Sequence, residues 1–252
     1  MDIFAKVRDG ERISPEKALE LYDNGALLEL GAAANERRQQ LNPGRRVTYL
    51  IDRNINYTNV CVTDCQFCNF YAPNATHPDA YVNSREVLAR KIKEALALGA
   101  TRILMQGGHN PDLPFDYYLE LLDWIRVAFP TIEINAFSPS EIEFMAAISG
   151  QSWLQVLTDL QAAGLSGLPG GGGEILDDEI RKRVSPKKIS TENWLGIMEV
   201  AHSLDLTTTA TMVIGLRENL QHRINHLHQL RQLQDRSLAA GSRGFNAFIS
   251  WP

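Results

Sequence analysis

Two patterns of apolar positions divide the chain near residue 45. Before it, Ser14-Pro15 sets a good cap ahead of a proline at the first helical position, and a stretch rich in Ala, Leu, Glu and Arg runs from about Ala26 to Leu41. Both read as helices, so residues 1–45 form an N-terminal helical extension. From Arg46, short β-rich runs alternate with longer helical ones: a run at 47–56, a helix from Ser84 to Leu98, a run at 101–106, a helix from Asp116 to Phe129 and a run at 131–137. A helix follows from Ser138, where Ser138-Pro139-Ser140-Glu141 fits a capping box, and another from Ser152 is closed by Gly164. Strands near 165–168, 207–215 and 245–251 then alternate with helices at about 191–204 and 218–234. Six strands in this order predict a parallel sheet with helices outside, either a closed barrel or an open doubly wound sheet.

Composition narrows the class. A chain of 252 residues, 44% of them hydrophobic, can bury one sizeable core, so residues 46–252 are expected to form one domain. With 25 basic against 30 acidic residues, a net charge of −5 and no dense basic block, nucleic acid is not an expected partner. The opening MDIFAKVRDGERIS lacks the apolar stretch of a signal peptide, and no later segment is apolar for long enough to cross a bilayer. A cytoplasmic protein without a membrane partner is the expectation.

The candidate chemistry sits just after the first strand, where all three cysteines fall in Cys61-Val-Thr-Asp-Cys65-Gln-Phe67-Cys68. Such clustering excludes a disulfide framework and points to metal or redox chemistry. Three thiolates on one tight loop can ligate three irons of a cubane cluster, leaving the fourth iron open to a ligand with an amine and a carboxylate. The alternatives are a zinc site with His77 as fourth ligand, or a structural or electron-transfer protein with a fully ligated cluster, against which three cysteines argue. Neighbours such as Thr63, Asp64 and Gln66 do not read as core.

The C-x3-C-x-aromatic-C spacing after a first strand resembles the signature of the radical S-adenosylmethionine superfamily. That resemblance implies a partial (β/α)6 TIM-like barrel, a [4Fe-4S] cluster on Cys61, Cys65 and Cys68, and S-adenosylmethionine as cofactor. It further implies that Phe67 lies near the adenine, that Gln106, Gly107 and Gly108 meet the methionyl group, and that Glu174 binds the ribose hydroxyls. A carboxylate suits a diol because it accepts two hydrogen bonds at once; the bland reading of Glu174 is a glutamate complementing a nearby helix dipole. Val213 to Glu218 matches the second half of an adenine-supporting pattern ending at Glu218, with Thr211 where its first glycine would be. The run Gly170 to Gly173 would let backbone approach a nucleoside, or else is a flexible linker.

Longer strings, among them INYTNVCVTDCQFCNFY, ILMQGGHNPDLP and GLPGGGGEILDDEIRKRVSPKK, resemble the dehypoxanthine futalosine cyclase family of a menaquinone route. Aminofutalosine synthases and the deazaflavin FO synthase subunits are the runners-up. The resemblance implies hydrogen abstraction from the ribose 4′ carbon of dehypoxanthine futalosine, ring attack, and loss of an electron and a proton. A low-potential donor such as flavodoxin or ferredoxin would feed the cluster. His109, Glu133 and Asp112 are the candidate bases at strand ends facing the barrel mouth, and Ser138 is either a substrate contact or a simple helix cap. Leu216-Arg217 stands where the family carries His-Val, and family members continue beyond a Trp-Pro like the one at 251–252, so cyclisation by these 252 residues alone is expected to be impaired. His222, His226 and His228 are expected on a solvated helix face, off the stripe of Leu220, Ile224, Leu227 and Leu230.

Overall fold

The computed structural model describes residues 3–252. Its elements are α1 (Ile3–Arg8), α2 (Pro15–Asn24), α3 (Leu27–Leu41), β1 (Asp52–Asn56), α4 (Arg85–Ala97), β2 (Arg102–Gln106), α5 (Phe115–Ala128), β3 (Glu133–Ala136), α6 (Pro139–Ser149), α7 (Trp153–Ala163), β4 (Leu165–Leu168), α8 (Asp178–Val184), α9 (Thr191–Ser203), β5 (Thr207–Val213), α10 (Leu220–Ala239) and β6 (Phe245–Trp251). Caps written in the sequence start the helices: the hydroxyls of Ser14, Ser84, Ser138, Ser152 and Ser190 each accept a backbone N–H in the first turn. Gly150 and Gly164 end α6 and α7 with positive φ.

All strand pairs are parallel and the order is β1-β2-β3-β4-β5-β6. A doubly wound sheet would reverse its order at a switch point. This one never does, so it is a half-barrel wound in one direction. The first run is shorter than its composition predicts: residues 47–51 are exposed and outside the ladder, which starts at Asp52 opposite Arg102. The short helix α1 was not expected as a separate element, whereas α8, capped by Asp177, is the helix expected just after Glu174.

Side chains alternate across each strand. Ile55, Ile103, Met105, Ile134 and Ala210 are buried in the main core with residues of α4, α5, α7 and α9. Each of these isoleucine and methionine side chains contributes about 1.5–3 kcal/mol when fully buried. The other face of β5 carries Thr207, Thr209 and Thr211, half-buried on the concave side. α2 lies against α10, where Arg12 pairs with Asp235 and Arg231 donates to the Ile13 carbonyl at 2.9 Å.

One expectation about α10 is corrected. Its buried face runs Ile224, His226, Leu230, Leu233 and Ser237, so His226 belongs to the packed stripe and not to a solvated face. Its Nδ1 accepts from the Leu176 N–H at 2.9 Å, and Gln229 donates to the Leu176 carbonyl at 2.7 Å. α10 therefore grips the loop that follows Glu174. His222 serves the capping box at Asn219, and His228 contacts Arg231; both are half-buried.

Candidate active site

The loops after β1, β2, β3 and β4 meet over one end of the sheet, the C-terminal ends of the strands, where α/β proteins build their sites. They enclose an open cleft of about 250 Å³ lined by all three cysteines, Phe67, Gln106, Gly107, Gly108, His109, Ser138, Glu141, Glu174 and Lys188. The cysteine loop is braced from within. Thr63 is buried, against expectation, because its hydroxyl lies 2.9 Å from Cys61 Sγ and 3.7 Å from Cys65 Sγ. The His109 N–H donates to Cys61 Sγ at 3.3 Å, and Lys187 pairs with Asp64 at 2.6 Å. Cys68 stands exposed at the rim.

The Gly-Gly turn packs directly beneath this loop. A Cβ on Gly108 would lie 2.1 Å from the Val60 carbonyl oxygen and 2.8 Å from Cys61 Cβ, so only glycine lets the turn approach the cysteines. Gly108→Ala is expected to cost about 1–3 kcal/mol of local packing and to displace Cys61. Iron and sulfide per chain after anaerobic reconstitution should fall, while Gly31→Ala, with open space around its Cβ, leaves them unchanged.

The glycine run after β4 is fixed and not a free linker. The Gly170 N–H donates to Thr209 Oγ1 at 3.0 Å, the Thr211 hydroxyl donates to the Gly170 carbonyl at 2.7 Å, and Trp194 Nε1 donates to the Gly171 carbonyl at 3.2 Å. A side chain at Gly170 would run into the Thr209 carbonyl at 2.4 Å. The run delivers Glu174 to the cleft wall, where Oε1 accepts from Lys188 Nζ at 2.7 Å and Oε2 has Arg181 Nη1 at 3.6 Å. Burial acts to raise this carboxyl, but Lys188 and Arg181 outweigh it and hold it below the usual range.

The candidate bases separate. His109 lines the cleft but stacks on Phe144 at 5.0 Å, and burial, with Lys188 nearby, lowers its pKa to about 3, so its ring is neutral. Glu133 is corrected: it opens β3 opposite Arg102, at the N-terminal rim of the sheet and away from the mouth. Asp112 is exposed in the turn before α5 and does not line the cleft. Glu218 lies outside the cleft too, accepting from the Gly215 N–H at 3.0 Å and from Arg223 at 2.6 Å. The Ser138 hydroxyl caps α6 and donates to Glu141 Oε2 at 2.8 Å, within the cleft lining. Sequence reasoning missed Lys188 and the inward turn of Glu141; the SPSE string showed a cap but not where its carboxylate points.

The residues fit the cofactors that the cysteine spacing implies. Among the described residues, no three His, Cys, Asp or Glu side chains gather around a single point. All three thiols line the one cleft, which suits one thiolate on each of three irons. His77, the fourth ligand of the zinc alternative, accepts from the Asp79 N–H and does not line the cleft. Two buried atoms lining the cleft, Glu174 Oε2 and Ser140 Oγ, have no hydrogen-bond partner, and buried polar atoms are rarely left so. Both atoms have capacity to bond to a polar ligand in the cleft.

Comparison with known proteins agrees with this arrangement. The family profile "Radical SAM superfamily" matches residues 55–230, and the chain belongs to that superfamily, whose members use a [4Fe-4S] cluster and S-adenosylmethionine. A cyclic dehypoxanthine futalosine synthase of Halalkalibacterium halodurans is 44% identical over 250 residues, 99% of this chain and 66% of the relative. A 5-amino-6-(D-ribitylamino)uracil–L-tyrosine 4-hydroxyphenyl transferase of a Cyanothece species is 40% identical over 244 residues, 94% of this chain and 64% of the relative. The chain thus spans just under two thirds of these relatives' lengths. The crystal structure of HydG, a maturase of the [FeFe]-hydrogenase, superposes with a TM-score of 0.74 at 17% identity, covering 99% of this chain and 54% of that one, and so shares the fold. Among the described residues, no helix is long and apolar enough to cross a membrane.

Proposed function

We propose that this chain carries the cofactor site of an enzyme that cyclises dehypoxanthine futalosine in menaquinone biosynthesis. The observation that supports it most is the convergence of three thiols, a Gly-Gly turn and a buried carboxylate, one oxygen of which accepts no hydrogen bond, on one cleft. When bound, the cluster and S-adenosylmethionine supply one-electron cleavage of a carbon–sulfur bond and hydrogen abstraction at the ribose 4′ carbon. Cys61, Cys65 and Cys68 hold the cluster. The backbone of Gln106 to Gly108 takes the methionyl group, Phe67 flanks the adenine, and Glu174 takes the ribose diol with the oxygen that Lys188 leaves free. A flavodoxin or ferredoxin supplies the electron, in the cytoplasm. The higher identity to the futalosine synthase favours this substrate over a tyrosine and a ribitylaminouracil.

The test is anaerobic reconstitution, addition of reductant and S-adenosylmethionine, and chromatography for 5′-deoxyadenosine and substrate. We expect 5′-deoxyadenosine, formed largely uncoupled, with what substrate is consumed being dehypoxanthine futalosine and not tyrosine plus 5-amino-6-(D-ribitylamino)uracil. Consumption of the second pair instead would move the chain to the transferase reading, and no 5′-deoxyadenosine under any condition would overturn both.

A further inference from the structure

One enclosed acid in the cleft has no part in the roles above. Glu141 lies in the first turn of α6 and is buried. Its Oε1 accepts from the Tyr57 hydroxyl at 2.8 Å and from the Gly107 N–H at 2.9 Å, and its Oε2 accepts from the Ser138 hydroxyl at 2.8 Å. A glutamate at this helix position commonly accepts from its own cap residue's N–H and stays in solvent. Here the carboxylate is turned inward, where burial disfavours its charge unless donors compensate. Three donors do so, and they come from three different places: Tyr57 just after β1, Gly107 just after β2, and Ser138 just after β3. Tyr57 also underlies the turn, since a Cβ on Gly107 would come 2.4 Å from its ring.

We propose that Glu141 is the positioning residue of the Gly-Gly turn, fixing the Gly107 backbone for the cofactor's methionyl group by joining it to Tyr57 and Ser138. The inference rests on the reading of that turn given under the proposed function. Bonds to an ionised acceptor are roughly twice as strong as neutral ones, so the ionised form is the one that holds the turn. Burial raises the carboxyl to about 7, against the pull of Ser138, Tyr57, Gly107 and, across the cleft, Lys188. The other titratable groups facing it are the Tyr57 and Tyr118 phenols, both pushed up by burial and neutral. Protonation below about 7 turns one acceptor oxygen into a donor and loosens the clamp.

The experiment compares the reconstituted chain with Glu141→Gln by hydrogen exchange of the Gln106–Gly108 segment. S-adenosylmethionine titration is followed in parallel by electron paramagnetic resonance of the reduced cluster. We expect exchange faster by roughly tenfold, affinity weaker by a similar factor, and an unchanged cluster content. Affinity of the parent chain should fall below about pH 7, while that of E141Q should be flat there. Tyr57→Phe and Ser138→Ala each remove one link of the clamp but leave the Gly107 bond, and should speed exchange of the turn by clearly less than E141Q does. Unchanged exchange in E141Q overturns the positioning role. Faster exchange with unchanged affinity overturns instead the assignment of the turn to the methionyl group, and equal loosening in all three variants reduces Glu141 to general packing. Should E141Q not fold, the pH dependence of exchange and affinity in the parent chain decides: no change across pH 7 overturns the proposal.

Discussion

Alanine at any one of Cys61, Cys65 or Cys68 is expected to abolish the cluster's visible absorbance and all cleavage of S-adenosylmethionine. The chain has no other cysteine. Neither histidine near the loop is a substitute: His109 is packed on Phe144, and His77 is turned to the Asp79 amide. The three positions are not equivalent before the cluster forms. Cys61 and Cys65 are half-buried around Thr63, whereas Cys68 is exposed, so Cys68→Ala should fold with the least disturbance. That makes it the most informative of the three. Iron, sulfide and 5′-deoxyadenosine are measured together; a well-folded Cys68→Ala chain that still forms 5′-deoxyadenosine would refute the ligand assignment.

What could be read from the sequence was local. Helix starts at Ser84, Ser138, Ser152 and Ser190 need only a few neighbouring residues, and the cysteine loop is a single eight-residue string. What could not be read depends on distant pairing. Glu133 looked like a mouth residue because a short β-rich run does not show where the ladder begins; pairing with Arg102 puts it at the opposite rim. His226 looked solvated because it lies beside the apolar stripe of α10 and not on it, and the loop after Glu174, which it bonds, widens the buried face to include it. Lys188 sits fourteen residues beyond the carboxylate it pairs with, separated by all of α8. Glu141 was legible as a cap partner, but its destination was set by Tyr57 and Gly107, eighty-four and thirty-four residues away in sequence.

Glu174→Gln is expected to destabilise the chain and to weaken S-adenosylmethionine binding, and the two losses can be separated. The carboxylate faces two cations, Arg181 buried and Lys188 largely so. Removing one partner of a buried ion pair costs about 3–5 kcal/mol. Arg181 keeps the Ile189 and Ile175 carbonyls as acceptors, whereas the hydrogen bond that Lys188 makes is to Glu174, so most of the loss falls on Lys188. The lower end of that range follows. Adding Lys188→Met should recover much of the stability without restoring affinity, since binding by the diol requires the carboxylate itself; the affinity loss is roughly 10- to 150-fold. The pH dependence gives an independent check. Lys188 and Arg181 hold the Glu174 carboxyl below its ordinary value near 4.5, so its stabilisation is complete above that value and is lost as pH falls through the lower folded value. Glu141, raised to about 7, behaves oppositely in net stability: burial penalises its charge by more than its three donors return, so the chain is most stable below about 4.5 and loses that margin as pH rises through 7, even though the ionised carboxylate grips the Gly107 N–H more tightly. Thermal melts across pH should therefore show the gap between parent and E174Q closing in acid, and that between parent and E141Q varying between pH 4.5 and 7. An E174Q chain that melts with the parent at neutral pH, yet binds S-adenosylmethionine normally, would return Glu174 to a helix-dipole role at the start of α8.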